Sequence, residues 1–97
     1  MKIHYEWDES KRRANILKHG VDFFNALEFV WPDALTQVDC RQDYGETRRV
    51  AFGPIAQRLY VMVYTKRAQA IRLISLRKAN QREFDYYVSQ INTPKYF

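Results

Sequence analysis

The densest group of side chains that could do chemistry lies late in the chain, in the run Arg72-Leu73-Ile74-Ser75-Leu76-Arg77-Lys78. Arginine suits phosphate because its planar guanidinium group donates two parallel hydrogen bonds. With Tyr, His and Glu available elsewhere, this set is sufficient for one reaction that requires no metal, the cleavage of RNA by its own 2′-hydroxyl. That reaction needs a base for the 2′-hydroxyl proton, an acid for the leaving 5′-oxygen, and cations that stabilise the pentacoordinate phosphate.

Alternation along this run predicts a strand with two different faces. A period of two places one set of side chains on one face of the strand, namely Arg72, Ile74 and Leu76. The other face then carries Leu73, Ser75 and Arg77. An arginine within an apolar strand is costly to bury alone, so Arg72 requires a carboxylate, a ligand or water. The alternative to a functional role is an internal ion pair with Glu6 or Glu46. Arg77 and Lys78 fall at the end of the strand, where a solvated turn is the alternative.

Two aromatic residues and one histidine are further candidates. Tyr60 and Tyr64 share a face of the preceding predicted strand, where they could stack on bases of single-stranded RNA or simply belong to the core. His19 lies at the predicted end of a helix. A histidine is favoured there by the helix dipole whether or not it has a function.

Other chemistries find little support in the sequence. The chain has one cysteine, its two histidines are far apart, and it contains no HExxH, CxxC, Gly-rich phosphate loop or GxSxG motif. Asp39, Asp43 and Glu46 could gather around a divalent ion, but acidic residues in loops are usually just solvated. We therefore predict no metal site and no cofactor.

Composition indicates a folded, basic chain. Apolar residues make up 46% and charged residues 28% of the 97 residues, which excludes disorder as the default. Residues 49–97 carry nine Lys/Arg and two Asp/Glu, whereas residues 1–48 carry seven and nine. A basic half favours a polyanionic partner, although small basic proteins often bind nothing acidic.

The cellular setting follows from what the sequence lacks. Cys40 cannot form an internal disulfide, no apolar run approaches the ~20 residues of a membrane span, and the first residues lack the apolar core of a secretion signal. We expect a cytoplasmic protein that makes no membrane contact, with residues 1–97 forming one domain.

The predicted elements follow the order β-α-α-β-β-β-β-α. Local patterns indicate a strand over Ile3–Trp7 and a helix from the cap Asp8 to about Lys18 that closes at Gly20. A second helix begins at the cap Asp22, with an apolar face formed by Phe23, Ala26, Leu27 and Val30, and Pro32 limits its continuation. Four predicted strands follow: Leu35–Cys40, Arg49–Phe52 ending in a Gly53-Pro54 turn, Leu59–Thr65 and Ala70–Leu76. A last helix begins at the cap Asn80 and continues to Ile91. The fold class is α+β, with two N-terminal helices, a four- to five-stranded, mainly antiparallel sheet and a C-terminal helix.

Several short segments, taken in order and spacing, resemble the BrnT family of toxins. The resemblance covers about residues 3–88 and is carried by Tyr5-Glu6-Trp7-Asp8, Lys11, Asn15, Lys18-His19-Gly20-Val21, Phe23, Ala26, Gly45-Glu46-x-Arg48, Val63-Tyr64-Thr65, Arg72-x-Ile74-Ser75-x-Arg77-x-Ala79, Glu83 and Tyr87. It implies a single BrnT domain with a fold similar to the RelE ribonucleases. It also implies a ribonuclease toxin of a bacterial type II toxin–antitoxin system, neutralised by a BrnA-like ribbon-helix-helix antitoxin. Operator DNA would then be bound only through the toxin–antitoxin complex.

The residues and the resemblance together predict a metal-independent endoribonuclease toxin with two sets of site residues. The predicted catalytic residues are Arg72 and Arg77 on the phosphate, and His19 and Glu46 for proton transfer. The predicted RNA-binding residues are Lys18, Arg48, Tyr64 and Lys78. The alternative is a non-catalytic, basic RNA-binding or protein-interaction module, which the absence of a tight acid–base pair in the sequence favours.

Overall fold

The computed structural model describes residues 3–40 and 45–91, which form a five-stranded mixed sheet. Its strands are β1 (His4–Glu6), β2 (Leu35–Asp39), β3 (Arg48–Ile55), β4 (Arg58–Arg67) and β5 (Ala70–Lys78). They lie in the order β1-β5-β4-β3-β2, with β1 parallel to β5 and the other three pairings antiparallel. The α+β class and the five strands agree with the sequence prediction.

The first helix, α1 (Glu9–His19), begins and ends where its capping residues predict. The side chain of Asp8 accepts hydrogen bonds from the backbone N–H groups of Ser10 and Lys11. At the other end Gly20 adopts the left-handed conformation, with φ 70°, and its N–H donates to the carbonyl of Ile16.

A buried asparagine joins α1 to the sheet. Asn15 Nδ2 donates to the carbonyl oxygens of Val21 and Leu76 at 2.9 and 2.7 Å, and Asn15 Oδ1 accepts from the Leu76 N–H at 3.2 Å. Strand β1 pairs only with Ala70–Arg72 of β5, so it leaves the later part of this edge without a strand partner. Asn15 satisfies both backbone groups of Leu76 at that open edge, and it fixes α1 beside β5.

The second predicted helix is instead a short 3₁₀ segment, Phe23–Glu28, capped by Asp22. The prediction of an α-helix to Val30 is wrong because Phe29 turns to extended backbone and bridges to Ile55 of β3. Residues three apart align on one side of a 3₁₀ turn, and this tighter winding still buries Phe23 and Ala26 together. A second 3₁₀ turn follows at Trp31–Asp33.

Strand β3 is longer than predicted, because it continues through Gly53 and Pro54 to Ile55. The predicted turn at Gly53-Pro54 is wrong, and the chain turns at Ala56-Gln57 instead. Gly53 serves close packing, since a Cβ atom there would collide with the ring of Phe29.

Two apolar clusters cover opposite faces of the sheet. We call the first the main core; it combines residues from the segment 21–29 with side chains of β3, β4 and β5, namely Val21, Phe23, Ala26, Phe29, Ala51, Ile55, Met62, Tyr64, Leu73 and Leu76. The smaller cluster lies under the C-terminal helix α2 (Gln81–Ile91) and contains Phe52, Leu59, Val61, Ala79 and Tyr87. None of the helices formed by the described residues has the length and apolar character needed to cross a membrane.

Helix α2 starts with the predicted reciprocal cap. The Glu83 N–H donates to Asn80 Oδ1 at 2.8 Å, and the Asn80 N–H donates to Glu83 Oε1 at 2.9 Å. The Glu83 carboxylate is therefore fixed near the end of β5.

Candidate nucleic-acid interface

A β-bulge in β5 determines which side chains share a face. Leu76 pairs with Met62 and Ser75 with Val63, but Leu73 pairs with Tyr64, so Ile74 is the extra residue. Leu73 and Leu76 are consequently both fully buried in the main core.

The side chains next to these leucines are turned to the opposite face of the sheet. Arg72, Ser75 and Arg77 all lie on the α2 side. The prediction that Arg72 and Arg77 occupy opposite faces is wrong, because a strict period of two does not hold across a bulge. We call the part of the α2 side that carries Arg48, Val63, Thr65, Arg72, Ser75 and Arg77 the arginine face.

Helix α2 covers only one end of this side of the sheet. Beside it a cavity of about 280 Å³ is lined by residues of β2, β3 and β4 together with Arg77 and Glu83. The cavity gives the guanidinium group of Arg77 an opening toward solvent.

Arg77 forms a bidentate ion pair with Glu83. Its two Nη atoms donate to the two carboxylate oxygens at 2.9 and 2.8 Å, and the two side chains are 34% and 21% exposed. The hydrogen bond from Arg77 is the main cause that lowers the pKa of the Glu83 carboxyl. Arg77 is thereby held at the mouth of the cavity in a defined orientation.

His19 lies close enough to Arg77 for the two side chains to interact electrostatically. Burial lowers the pKa of the His19 imidazole, and the charges of Lys18 and Arg77 lower it further. A histidine of lowered pKa is more completely neutral near pH 7, which is the form that accepts a proton. The structure thus brings the predicted residues Lys18, His19 and Arg77 together, and the exposed Lys78 follows Arg77 at the end of β5.

Arg72 lies farther along the same face and has its own carboxylate partner. Arg72 Nη1 is 3.7 Å from Glu6 Oε2, and both side chains are partly exposed. Of the two partners that the sequence left open, Glu6 is the one in contact. Arg72 and Arg77 are five positions apart along β5, roughly 15 Å at the usual strand rise, so the two guanidinium groups occupy separate parts of the arginine face.

Two predicted site residues lie elsewhere. Glu46 pairs with Arg67 at 3.3 Å, near the β4–β5 turn. Arg67 is opposite Ala70, at the end of β5 away from Arg77, so Glu46 cannot share a proton-transfer site with His19 and Arg77. The expected role of Glu46 at that site is corrected accordingly.

Tyr64 does not belong to the arginine face. It is 2% exposed in the main core, where its ring packs edge-on against Trp31 at 5.4 Å. Tyr60 packs against the same core, so the two tyrosines share a face as predicted, but that face is the interior. The expected stacking of Tyr64 on a base is wrong because its ring is covered.

A row of polar side chains crosses the arginine face at right angles to the strands. Glu6 pairs with Arg72, Arg72 with Thr65, and Asp39 with Arg48. Arg49 pairs with Tyr64, so continuing that antiparallel register by one residue puts Arg48 opposite Thr65. The row is therefore Asp39, Arg48, Thr65, Arg72, Glu6, one residue from each strand.

The middle of this row contains an unsatisfied hydroxyl. Thr65 is 2% exposed, and its Oγ1 has no hydrogen-bond partner among the described residues. Buried polar atoms in native structures nearly always have a partner, so this atom requires an explanation.

No three His, Cys, Asp or Glu side chains within 3–40 and 45–91 come close enough to share a metal ion. The predicted acidic group Asp39, Asp43 and Glu46 includes a residue, Asp43, that lies outside the described part of the chain. Asp39 itself is buried in the polar row.

Three residues of this region were not assigned site roles from sequence: Asn15, Thr65 and Glu83. Asn15 had a usable signal, since asparagine is disfavoured inside a helix and requires a reason to be there. Glu83 was recognised only as a capping residue. Thr65 is an ordinary strand residue, and only its neighbours on adjacent strands distinguish it.

Comparison with known proteins gives a family match that covers most of the chain. A family model described as a ribonuclease toxin, BrnT, of type II toxin–antitoxin systems matches residues 7–83. The matched segment includes α1, the whole sheet except β1, and the start of α2, so the protein is a toxin of a toxin–antitoxin system. More specifically, the chain belongs to the BrnT family. No curated protein matches the chain significantly.

Proposed function

We propose that this protein, as one toxin domain over residues 1–97, cleaves RNA without a metal ion by activating the 2′-hydroxyl of its substrate. The observation that carries the proposal is the bulge at Ile74, which turns Arg72 and Arg77 to the same open face of the sheet. Family membership supports the ribonuclease activity itself.

In this mechanism His19 is the general base. Neutral His19 removes the proton from the 2′-hydroxyl, whose oxygen then attacks the adjacent phosphorus. The bond from phosphorus to the 5′-oxygen breaks, and that oxygen takes a proton from water. The products are a 2′,3′-cyclic phosphate and a 5′-hydroxyl, and the hydroxide left by the water returns His19 to its neutral form. Arg77, oriented by Glu83, stabilises the charge that develops on the phosphate.

The remaining basic residues bind the RNA backbone. Arg72 and Arg48 lie on the same face as Arg77, and Lys18 and Lys78 flank His19 and Arg77 in sequence. Side chains of this kind position the nucleic acid without reading its sequence.

The direct test is incubation of the purified protein with total RNA in the presence of EDTA. Fragments that end in 2′,3′-cyclic phosphate support the proposed reaction. The ion pairs Arg77–Glu83 and Arg72–Glu6 favour one alternative, a non-catalytic RNA-binding or protein-interaction module. That alternative predicts a salt-dependent gel shift with no fragments.

We also propose that a BrnA-like antitoxin with a ribbon-helix-helix domain neutralises this toxin, and that operator DNA is bound only through their complex. A type II system implies an antitoxin partner. Co-expression with the adjacent short reading frame tests the pairing: a stable complex that suppresses growth inhibition and shifts operator DNA is expected. The toxin alone should leave operator DNA unshifted under the same conditions.

A further inference from the structure

We infer that Thr65, with Arg48 and Arg72 on either side, forms a phosphate-binding subsite separate from the position of Arg77. This inference rests on the proposed function for the identity of its ligand, an RNA phosphodiester. It adds a neutral hydrogen-bonding residue, Thr65, for which neither the sequence nor the family match supplied a role.

The register of the sheet provides the geometry. Thr65 of β4 is opposite Arg72 of β5, and Arg48 of β3 lies one register step beyond the Arg49–Tyr64 pair. Adjacent strands are about 4.8 Å apart, so the Cα atoms of Arg48 and Arg72 are separated by roughly 10 Å. Two guanidinium groups on long side chains can reach one phosphate across that distance, with the hydroxyl of Thr65 beneath it.

The charge pattern of the row favours an anion at its centre. Both arginines stand inside the row, while the two carboxylates, Asp39 and Glu6, stand at its outer ends. The Arg72–Glu6 contact is long, at 3.7 Å, and partly exposed, so Arg72 can turn toward Thr65 at little cost.

The hydroxyl of Thr65 supplies the independent observation. Its Oγ1 is buried and lacks a partner among the described residues, which costs stability relative to an apolar side chain of the same shape. A phosphate oxygen between the two arginines would accept the proton of this hydroxyl. A bound phosphate would therefore satisfy the Thr65 hydroxyl, which lowers the stability of the protein when it has no partner.

The test uses Thr65→Val, which keeps the shape of the side chain and removes the hydroxyl. The matched control is Thr36→Val, at an exposed threonine of β2. The probe is a fluorescent single-stranded 2′-deoxyoligonucleotide, which presents phosphodiesters but has no 2′-hydroxyl to react. Inorganic phosphate, followed through the Thr65 amide resonance, tests whether a free phosphate occupies the same place.

Loss of one hydrogen bond predicts that Thr65→Val weakens oligonucleotide binding about five- to tenfold. Thr65→Ser should retain most of the affinity, and Thr36→Val should bind as the wild type does. Because threonine carries no charge, the dependence of log K on log salt should keep its slope in Thr65→Val, whereas Arg72→Ala should reduce that slope by about one.

Equal affinity of Thr65→Val and the wild type for the oligonucleotide would overturn the inference, as would a loss of affinity in Thr36→Val as large as that in Thr65→Val. A failure of the proposed function has a different signature, since the wild type would then bind RNA and release no 2′,3′-cyclic phosphate. If Thr65→Val does not fold, Thr65→Ser and the amide titration of the wild type still decide the matter: no shift of the Thr65 amide with phosphate or oligonucleotide counts against the subsite.

Discussion

The Glu83 carboxylate accepts hydrogen bonds both from Arg77 at the end of β5 and from the backbone at the start of α2. Both Nη atoms of Arg77 donate to the Glu83 carboxylate, and the same carboxylate accepts the backbone N–H of Asn80 at the start of α2. One side chain therefore begins the last helix and orients an arginine at the end of β5. The stability of α2 and the position of Arg77 are consequently coupled.

This coupling predicts a pH-dependent contribution to stability. The pKa of Glu83 is lowered in the folded protein, chiefly by its hydrogen bond from Arg77. The contribution is therefore fully present above the unfolded pKa of about 4.5 and is lost as the pH falls through the lower folded value. Urea unfolding at pH 7 and pH 3 should show a smaller loss of unfolding free energy in Glu83→Gln than in the wild type, because glutamine does not titrate over this range. Identical losses in the two proteins would contradict this account.

Substitution of either arginine of the proposed site should remove toxicity and leave the fold intact. For Arg77→Ala we expect the rate of RNA cleavage to fall roughly 100- to 1000-fold, because one donor to the developing charge is lost. Arg72→Ala should weaken RNA binding as well as cleavage. Growth inhibition, cleavage rate and circular dichroism are the measurements.

Arg67→Ala is the matched control for Arg77→Ala, since Arg67 is an exposed arginine near the β4–β5 turn and away from Arg77. Its cleavage rate and toxicity should match those of the wild type. If Arg72→Ala and Arg77→Ala each retained full toxicity, the arginine face would not be the catalytic site.

Glu46 provides a sharper test of the corrected site. It pairs with Arg67 rather than with His19 or Arg77, so Glu46→Gln should change the cleavage rate less than about threefold. His19→Ala should lower that rate about 100-fold or more, the usual contribution of a general base. A large effect of Glu46→Gln with a small effect of His19→Ala would reverse the assignment of these two residues.

Elements defined by local chemistry could be predicted from the sequence. Asp8 and Gly20 bound α1, and Asn80 with Glu83 starts α2, because caps depend on residues only a few positions apart. Phe23 and Ala26 share a buried side as the sequence predicts, because a spacing of three fits a 3₁₀ turn as well as an α-helix. Leu27 and Val30, predicted on the same apolar face, are exposed.

The arrangement of the site depends on pairing between strands, which local patterns do not specify. The run from Arg72 to Arg77 alternates well enough for a regular strand, and only its pairing with β4 shows that Ile74 is extra. The same holds for Thr65, whose importance comes from residues 17 positions before it and seven after it. The core position of Tyr64 was open in the sequence for the same reason.

Asn15 should prove to be the main link between α1 and the sheet. In Asn15→Ala the backbone N–H and carbonyl of Leu76 lose their partner at a buried edge, as does the carbonyl of Val21. We expect a loss of about 2–4 kcal/mol in the free energy of unfolding, measured with urea. His19 lies one turn beyond Asn15 on α1, so cleavage by the folded fraction should also fall. A loss under about 0.5 kcal/mol, the range of ordinary surface substitutions, would contradict this role.

The pH dependence of cleavage should report on the charge next to His19. Protonated His19 cannot act as a base, so the rate should rise with pH, reach half its plateau at the His19 pKa and then level off. That pKa is lowered by burial and by the charges of Lys18 and Arg77, so the midpoint of the rise should lie below the ordinary value of about 6.5. Lys18→Gln removes one neighbouring positive charge and makes protonation of His19 easier. The rise should therefore move to higher pH in this variant, and its activity at pH 5.5 should fall relative to its own plateau.

Lys11→Gln, also at an exposed lysine of α1, is the matched control and should leave the profile where it is in the wild type. A profile that does not move in Lys18→Gln, or that moves equally in Lys11→Gln, would mean that a group other than His19 accepts the proton.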